Sequence, residues 1–389
     1  MNYEYLTPYT KTKTQERYLK ATIEFGSGRK AAKSLGVSKS TLYDCLERVK
    51  INAARKGMSP DHDMTHTVPD GFNVKGVSTL YGADGDVTCQ WVKTDKDKDQ
   101  QEEGFREFIE GLSSGIRGVS KATEPTKTTY DSDLMSAVII GDAHIGMLAH
   151  KKETLFMDFN TDIAVKDLRE AIDNLVDRSP NSETGVLVDV GDLHHSNSSD
   201  NVTAKGTRLD CDTRHSKVLK ISGMLMRYTI DKMLKKFKYV KVVISKGNHN
   251  SEPSVALSLM LQFFYEKNNR VEVKDTIGHF HYLTHGDWLI GVNHGDMIKS
   301  QKLVSVMARD HKGWSKAKFR VWLCGHVHHE KALEIDGCTV RSFNTLAPRD
   351  AWHASRGYGA RQSMSLLTFH KTKGMHSTLE YDLLVKTEV

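Results

Sequence analysis

The sequence predicts an α/β layered domain preceded by a small helical domain. From about Leu134 onwards, the chain alternates apolar strand-like runs, polar loops and amphipathic helices, which is the pattern of an α/β fold. The later part of this region adds several short strand-like runs, which indicates two facing sheets with helices outside. Upstream, residues 1–50 contain apolar residues at helical spacing, which indicates a separate all-α segment.

Length and composition favour a soluble protein of two or more domains. The chain has 389 residues, of which 38% are hydrophobic. It has no apolar run of about 18 residues, and its start lacks the features of a secretory signal. Its five cysteines are scattered and without metal-type spacing, which favours reduced thiols. We therefore expect a cytoplasmic protein with no membrane partner.

The positive charge is concentrated at the N-terminus. Residues 1–60 hold 12 Lys and Arg against 5 Asp and Glu, a balance of +7, whereas the whole chain carries +6. Such asymmetry indicates a polyanionic partner for this segment, with a solvated basic face as the alternative.

Three helices are predicted in this segment, over residues 14–25, 29–35 and 39–50. Gly26 and Gly36 mark the ends of the first two helices, and Ser38 is a favourable N-cap for the third. The stretch from Ala32 to Leu42 resembles the helix-turn-helix of DNA-binding proteins, in which the last helix enters the major groove. A helical hairpin that docks a protein is the alternative.

The resemblance assigns DNA contacts to polar and basic residues of the second and third helices. The residues expected in the groove are Lys39, Ser40, Thr41 and Tyr43, and those expected at phosphates are Arg29, Lys30, Lys33 and Arg48. Helix-turn-helix proteins often bind as dimers, so a homodimer is an open expectation, although the sequence has no coiled-coil stripe. No protein partner is indicated.

The predicted domains are 1–56, 57–133 and 134–389. The middle region is expected to be a linker that contains a hairpin and a helix at about 101–112. The hairpin strands are Val77–Tyr81 and Val87–Val92, around the turn Ala83–Asp86. The mixed-charge run after the hairpin, from Thr94, is expected to be a solvated loop.

Polar clusters follow five predicted strands of the last domain. These clusters are Gly141-Asp142-Ala143-His144, Gly191-Asp192-Leu193-His194-His195, Gly247-Asn248-His249-Asn250, Asn293-His294-Gly295-Asp296 and Gly325-His326-Val327-His328. Open α/β sheets carry their ligands at the carboxyl ends of strands. Asp oxygens and neutral imidazoles suit Mn²⁺, Fe or Zn²⁺. Two metal ions about 3.5–4 Å apart need a bridging carboxylate, and Asp192 is the natural bridge.

The order of these clusters resembles the motif set of the calcineurin-like metallophosphoesterases, D-x-H, G-D, G-N-H, H and G-H-x-H. The resemblance implies a four-layer α/β/β/α sandwich and two divalent metal ions. It assigns one ion to Asp142, His144, Asp192 and His328, and the other to Asp192, Asn248, His294 and His326. It gives His249 the role of protonating the leaving group. Asn250 departs from the family, which usually has an acidic residue that supports the adjacent histidine.

The stretch Gly191–Ser196 resembles the repair-exonuclease branch of that family. In this branch, a histidine three residues after the bridging Asp positions the nucleic-acid phosphate, and His195 matches it. The resemblance implies a nuclease and favours Mn²⁺ over Fe or Zn²⁺. The basic N-terminal segment and the hairpin resemble DNA-binding phosphoesterases of bacteriophages and prophages, which would place the protein in a bacterial host cytoplasm.

We therefore predict a DNA nuclease that is targeted to DNA by its N-terminal domain. The alternatives are a phosphatase or cyclic phosphodiesterase with a small-molecule or protein substrate, and a DNA-binding regulator with a weakly active metal domain. Two polar segments, 196–216 and 345–361, are candidates for the substrate groove, and Arg349 is the residue expected to act there.

Overall fold

The computed structural model describes residues 3–69, 72–96, 118, 120, 124–125, 129–275 and 277–383. The chain divides into two compact units, Met1–Phe105 and Arg106–Val389. The predicted helix at about 101–112 lies outside the described residues. Within them, no helix combines the length and the apolar character that a membrane span requires.

Three helices form the first part of the first unit: α1 (Lys13–Phe25), α2 (Gly28–Leu35) and α3 (Lys39–Arg55). They confirm the predicted helices within a few residues, except that α3 is one turn longer than expected because Ala53 is buried in the helical core. Ser38 caps α3 as predicted, since its hydroxyl accepts a hydrogen bond from the Thr41 N–H. Leu19, Leu42 and Leu46 are buried where the helices meet.

After α3, the described residues of the first unit form two strand pairs and one short 3-10 helix, Pro60–His62. Two short strands, β1 (Met58–Ser59) and β2 (Met64–Thr65), pair with each other, and β3 (Phe72–Tyr81) pairs with β4 (Val87–Lys96). The predicted hairpin is therefore confirmed, but residues 94–96 extend β4 instead of forming a loop. Asp95 pairs with Asn73 across the ladder and forms an ion pair with Lys75, which compensates for the low strand propensity of this charged run. The predicted boundary between residues 56 and 57 falls inside this unit.

The second unit contains two sheets. Its strands are β5 (Asp131–Ile140), β6 (Ser182–Asp189), β7 (Tyr239–Ile244), β8 (Val271–Val273), β9 (His281–His285), β10 (Trp288–Asn293), β11 (Phe319–Cys324), β12 (Lys331–Ile335), β13 (Cys338–Ser342), β14 (Ser363–His370) and β15 (Gly374–Asp382). One sheet has the order β15-β14-β5-β6-β7-β8 and the other β12-β13-β11-β10-β9.

The described residues of the second unit also form six helices. They are α4 (Lys151–Thr154), α5 (Thr161–Arg178), α6 (His215–Lys236), α7 (Ser251–Tyr265), α8 (Ser300–Asp310) and α9 (Ala351–Ser355). Helices α5, α6 and α7 pack on the six-stranded sheet, and α8 packs on the five-stranded sheet through Leu303 and Met307. Alternate residues of the strands, such as Val188 and Leu323, form a second core between the sheets. The fold is thus the predicted four-layer α/β/β/α sandwich.

Strand direction decides where the polar clusters lie. Strands β5, β6 and β7 are parallel neighbours, and so are β10 and β11. All five of these strands were predicted, and each ends directly before, or within three residues of, its polar cluster. Their carboxyl ends therefore come together at one edge of each sheet. The sequence reasoning missed α8 and the strands β14 and β15.

Candidate metal centre

Imidazole and carboxylate groups from all five of these strand ends converge in the second unit. Three groups of side chains have ligand atoms that all lie within 4.8 Å of one another. These groups are Asp142, His144 and His328; Asp192, His294 and His326; and His144, His195 and His249. The first two groups reproduce most of the two predicted metal sites.

The first group is built around the buried carboxylate of Asp142. The His326 backbone N–H donates to this carboxylate over 2.9 Å, which ties the end of β5 to the end of β11. The Nε2 atoms of His144 and His328 lie 3.2 Å apart, and His328 Nε2 lies 3.7 Å from an Asp142 oxygen. One oxygen and two nitrogens therefore surround one small volume.

The second group is built around Asp192 and His294. His294 Nε2 lies 3.0 Å from an Asp192 carboxylate oxygen and 3.1 Å from Asn248 Oδ1. The amide oxygen of Asn248 thus lies beside the second group, and its role as a metal ligand stays a prediction. The other Asp192 oxygen accepts the His249 backbone N–H over 2.8 Å. The role of Asp192 as a bridge between two ions stays a prediction.

Hydrogen bonds fix which nitrogen of two histidines remains for a ligand. His294 Nδ1 donates to the Val190 carbonyl over 3.0 Å, so Nε2 is the nitrogen that faces Asp192 and Asn248. His249 Nδ1 donates to the His195 carbonyl over 2.7 Å, which leaves Nε2 for a ligand. Such backbone bonds are how metal and catalytic histidines are held in one tautomer.

Burial gives these groups unusual charge states. Burial raises the pKa of Asp142 to about 7. Burial also opposes the charged form of Asp192, but the adjacent His294 outweighs it and holds the pKa of Asp192 below its usual range. Burial by itself lowers the pKa of His294, yet the two carboxylates raise it to about 10. Two carboxylates so close together favour a cation between them.

The backbone is strained where the candidate ligands lie. Positive φ is uncommon outside glycine and is tolerated mainly at functional sites. The candidate ligands with φ between +28° and +70° are Asp142, His144, Asp192, His326 and His328. This strain is consistent with side chains that are aimed at a shared ligand.

Two glycines leave room for the carboxylates. A Cβ atom at Gly247 would collide with the Asp192 side chain, and one at Gly325 would lie 2.6 Å from an Asp142 oxygen. The donor atoms of these groups are carboxylate oxygens and imidazole nitrogens. Burial raises the pKa of the nearby Cys324 thiol to about 12, so this thiol does not add a thiolate to the set. These residues therefore fit divalent ions such as Mn²⁺, Fe²⁺ or Zn²⁺.

Asn250, which departs from the family motif, accepts hydrogen bonds from the backbone. Its side-chain oxygen accepts the backbone N–H of Asp192 over 3.1 Å and that of Gly247 over 3.0 Å. The side chain is fully buried. Asn250 therefore braces the two loops that carry the second group. Its side-chain nitrogen lies 3.5 Å from His194 Nδ1.

His195 lies beneath the candidate ligands. Its side chain is 1% exposed, and its Nδ1 lies 3.3 Å from His144 Nδ1. His144 thus faces His328 with Nε2 and His195 with Nδ1. His249 lines the open pocket above the site, whereas His195 is absent from its lining. The predicted contact of His195 with a phosphate stays a prediction.

A pocket of about 570 Å³ opens over the second group. Both predicted groove segments line it, the first with Lys205 and Arg208 and the second with residues from Thr345 to Arg361. Arg349 lies in this lining, and its Nε is a buried nitrogen without a hydrogen-bond partner among the described residues. Arg214, which lies in the first predicted groove segment, is exposed at the start of α6 and is not in the lining.

A pair of side chains in this pocket was not assigned a role by the sequence. Asp350 accepts hydrogen bonds from the His353 backbone N–H (2.8 Å) and from His353 Nδ1 (2.7 Å). The His353 ring lies 5.1 Å from the His328 ring, between centroids. An Asp-x-x-His spacing at the start of a helix is the signal that could have indicated this pair.

The residues expected to contact DNA lie on the first unit. All eight side chains are exposed, on α2 for Arg29, Lys30 and Lys33 and on α3 for the others. Lys39 Nζ lies 5.4 Å from the Tyr43 ring centroid, so these two side chains share one surface at the start of α3.

Protein-family models give no match to this chain, and curated proteins give none. Solved structures do give matches. Vacuolar protein sorting 29 from Cryptosporidium parvum is 13% identical, with a TM-score of 0.31 over 65% of this chain and 100% of its own. The E. coli phosphoesterase Yfce is 13% identical, with a TM-score of 0.30 over 63% and 98%. Vps29 from Entamoeba histolytica, crystallised with Zn²⁺, is 11% identical, with a TM-score of 0.29 over 64% and 99%.

Proposed function

We propose that this protein is a metal-dependent phosphodiesterase that cleaves DNA. The observation that carries the proposal is the meeting of two oxygen-and-imidazole clusters, around Asp142 and around Asp192, at the carboxyl ends of parallel strands. Two divalent ions, when bound, polarise a phosphoryl oxygen and lower the pKa of water, and this suits in-line hydrolysis of phosphoesters.

The residues of the chain have separate tasks in this reaction. Asp142, Asp192 and their histidine partners hold the ions. His249, fixed through Nδ1 on the His195 carbonyl, presents Nε2 to the pocket and delivers a proton to the leaving oxygen. Arg349, a cation in the lining of the same pocket, binds a non-bridging phosphate oxygen.

The choice of DNA depends on the first unit. Its excess of +7 over residues 1–60 attracts a polyanion, and the exposed polar start of α3 has the character of a recognition helix. A domain that binds DNA raises the concentration of substrate near a phosphodiesterase in the same chain. Exonuclease and endonuclease action are both compatible with this site.

A specific observation favours a second candidate, a small phosphoester substrate. The pocket volume of about 570 Å³ lies in the range of small-molecule sites, roughly 300–1,000 Å³. A phosphatase or cyclic phosphodiesterase would use the same ions and the same His249.

A cleavage assay separates these functions. Labelled linear DNA, circular DNA, bis-nitrophenyl phosphate and nitrophenyl phosphate are each incubated with Mn²⁺, and Asp192→Ala is the control. We expect metal-dependent loss of DNA and of the diester, absent in the variant. Cleavage of the circle would indicate an endonuclease. Hydrolysis of the monoester with DNA intact would overturn the proposal in favour of a phosphatase. Inactivity on every substrate would favour a DNA-binding regulator.

A further inference from the structure

A series of rings leads from the candidate metal centre to an exposed pair of aromatic side chains. From His328, the centroid distance is 5.1 Å to His353, and from His353 it is 5.0 Å to Trp352. The Trp352 and Tyr358 rings are nearly parallel, with an interplanar angle of 18° and centroids 5.9 Å apart. Two ring-to-ring steps thus separate a candidate metal ligand from this pair.

The pair is exposed although it is large and apolar. Trp352 is 51% exposed and Tyr358 is 54% exposed, and both line the pocket above the metal centre. Exposed aromatic side chains in a pocket are binding features more often than packing features. The Arg356 guanidinium lies 4.7 Å from the Trp352 ring centroid, so positive charge accompanies the rings.

The backbone holds the two rings in this arrangement. Asp350 caps the short helix α9, which carries Trp352 and His353. The chain then reverses at Gly357, which has φ +73°, and the Tyr358 N–H donates to the His353 carbonyl over 3.0 Å. This reversal brings Tyr358 back beside Trp352 instead of directing it away from the pocket.

We propose that Trp352 and Tyr358 form a stacking platform for the nucleobase next to the phosphodiester that is cleaved. The proposal rests on the phosphodiesterase function proposed above and specifies its substrate as one that bears a base. Bases stack on exposed aromatic rings with little sequence preference, and arginine adds a cation–π contribution. The two short ring-to-ring steps are compatible with a phosphate at the metals and its own base at the platform.

Two diesters with one leaving group test the platform. Thymidine 5′-(4-nitrophenyl phosphate) carries a base, whereas methyl 4-nitrophenyl phosphate does not. We expect Trp352→Ala to lower kcat/KM for the thymidine diester about tenfold, the size of one lost stacking contact, and to leave the methyl diester within about twofold. Trp352→Phe keeps a ring and restores most of the loss. Tyr239→Ala removes a partly exposed aromatic at the start of β7, the opposite end of the strand, and serves as the matched control.

The outcomes separate this proposal from the proposed function. An equal loss on both diesters, or no loss on either, overturns the platform while the phosphodiesterase function stands. If the wild type hydrolyses neither diester, the proposed function fails, and the platform is then judged by calorimetric titration with a thymidine dinucleotide. Weaker binding by Trp352→Ala than by wild type supports the platform, and equal binding overturns it.

Discussion

The strand ends and the segment 345–361 line the same pocket but are held in place by different forces. At the strand ends, pairing between parallel strands positions the side chains. The glycines beside these side chains have almost no free space for an added Cβ atom. A Cβ at Gly247 would collide with Asp192. In the segment, position depends on a capped five-residue helix and a turn, and a Cβ at Gly357 would meet no atom within 4 Å.

We expect this difference to divide two tasks between the regions. The strand ends hold the reacting groups, and the segment 345–361 selects the substrate. The tightly packed strand ends fix the atoms that are proposed to bind ions, and at such sites a displacement of a fraction of an ångström matters. The segment presents Arg349, Trp352 and Tyr358 from a loop, and loops can change while the sheets that support them are retained. We therefore expect substitutions in the first region to abolish activity and those in the second to change which substrate is preferred.

The largest effect is expected from Asp192→Asn. This change keeps the shape of the side chain but removes a negative charge from the second group. We expect metal affinity to fall and turnover to fall about a thousandfold, since metal ions contribute several kcal/mol to such reactions. Calorimetric titration with Mn²⁺ and a diester assay measure the two quantities.

Asp189→Asn is the matched control three residues earlier. Burial raises the pKa of Asp189 to about 8, so its carboxyl is already neutral at pH 7, and one of its oxygens accepts the Gly191 N–H. Asparagine supplies the same acceptor, and turnover should stay within about threefold of wild type. Equal losses in both variants would contradict the assignment of Asp192 to the ions.

A smaller effect is expected at His195, which lies behind His144. Removing the partner of a metal-binding histidine lowers metal affinity by about 10–100-fold. We expect this loss in His195→Ala with little change in KM. His195→Asn, whose side-chain oxygen takes the place of Nδ1, should recover part of the affinity. A raised KM with unchanged metal affinity would instead support the phosphate contact that the sequence resemblance implied.

The sequence predicted the strand ends well because they follow local rules. An apolar run followed by Asp or His is visible within ten residues, and parallel pairing brings such ends together. The positions of Asp142, Asp192, Asn248 and His294 were all anticipated in this way. The four-layer sandwich followed from the same pattern and from the family resemblance.

Other features depend on contacts between distant parts of the chain. Strand β14 pairs with β5, more than 200 residues earlier, and a pairing over that distance is not visible in the local sequence. The role of Asn250 could not be assigned from the sequence, because its side-chain oxygen accepts hydrogen bonds from the backbone N–H groups of Asp192 and Gly247, and no motif shows such bonds. The Trp352–Tyr358 pair depends on one turn at Gly357, so its geometry could not be deduced from composition.

An intermediate effect on turnover is expected from Arg349→Ala. Arg349 lies in the lining of the pocket and brings a positive charge to it, so a phosphate oxygen is its expected partner. We expect about a tenfold lower kcat/KM, the worth of one charged hydrogen bond, with unchanged Mn²⁺ affinity. Arg214→Ala, outside the pocket lining, is the control. Unchanged kcat/KM in Arg349→Ala would remove this residue from the site.

The smallest effect is expected from Gly357→Ala. Gly357 has φ +73°, and an alanine there costs about 1 kcal/mol of stability through backbone strain alone, since no atom blocks the new methyl group. Urea unfolding measures that loss.

Gly337→Ala is the matched control for Gly357→Ala, because Gly337 has φ +72° and equally open space in the turn between β12 and β13. Both variants should lose the same stability. Only Gly357→Ala should reduce the preference for the thymidine diester, because only that turn carries Tyr358. We expect the ratio of kcat/KM for the thymidine diester to kcat/KM for the methyl diester to fall about threefold. If both variants kept the preference unchanged, the position of Tyr358 would not depend on this turn, and the segment would be held as rigidly as the strand ends.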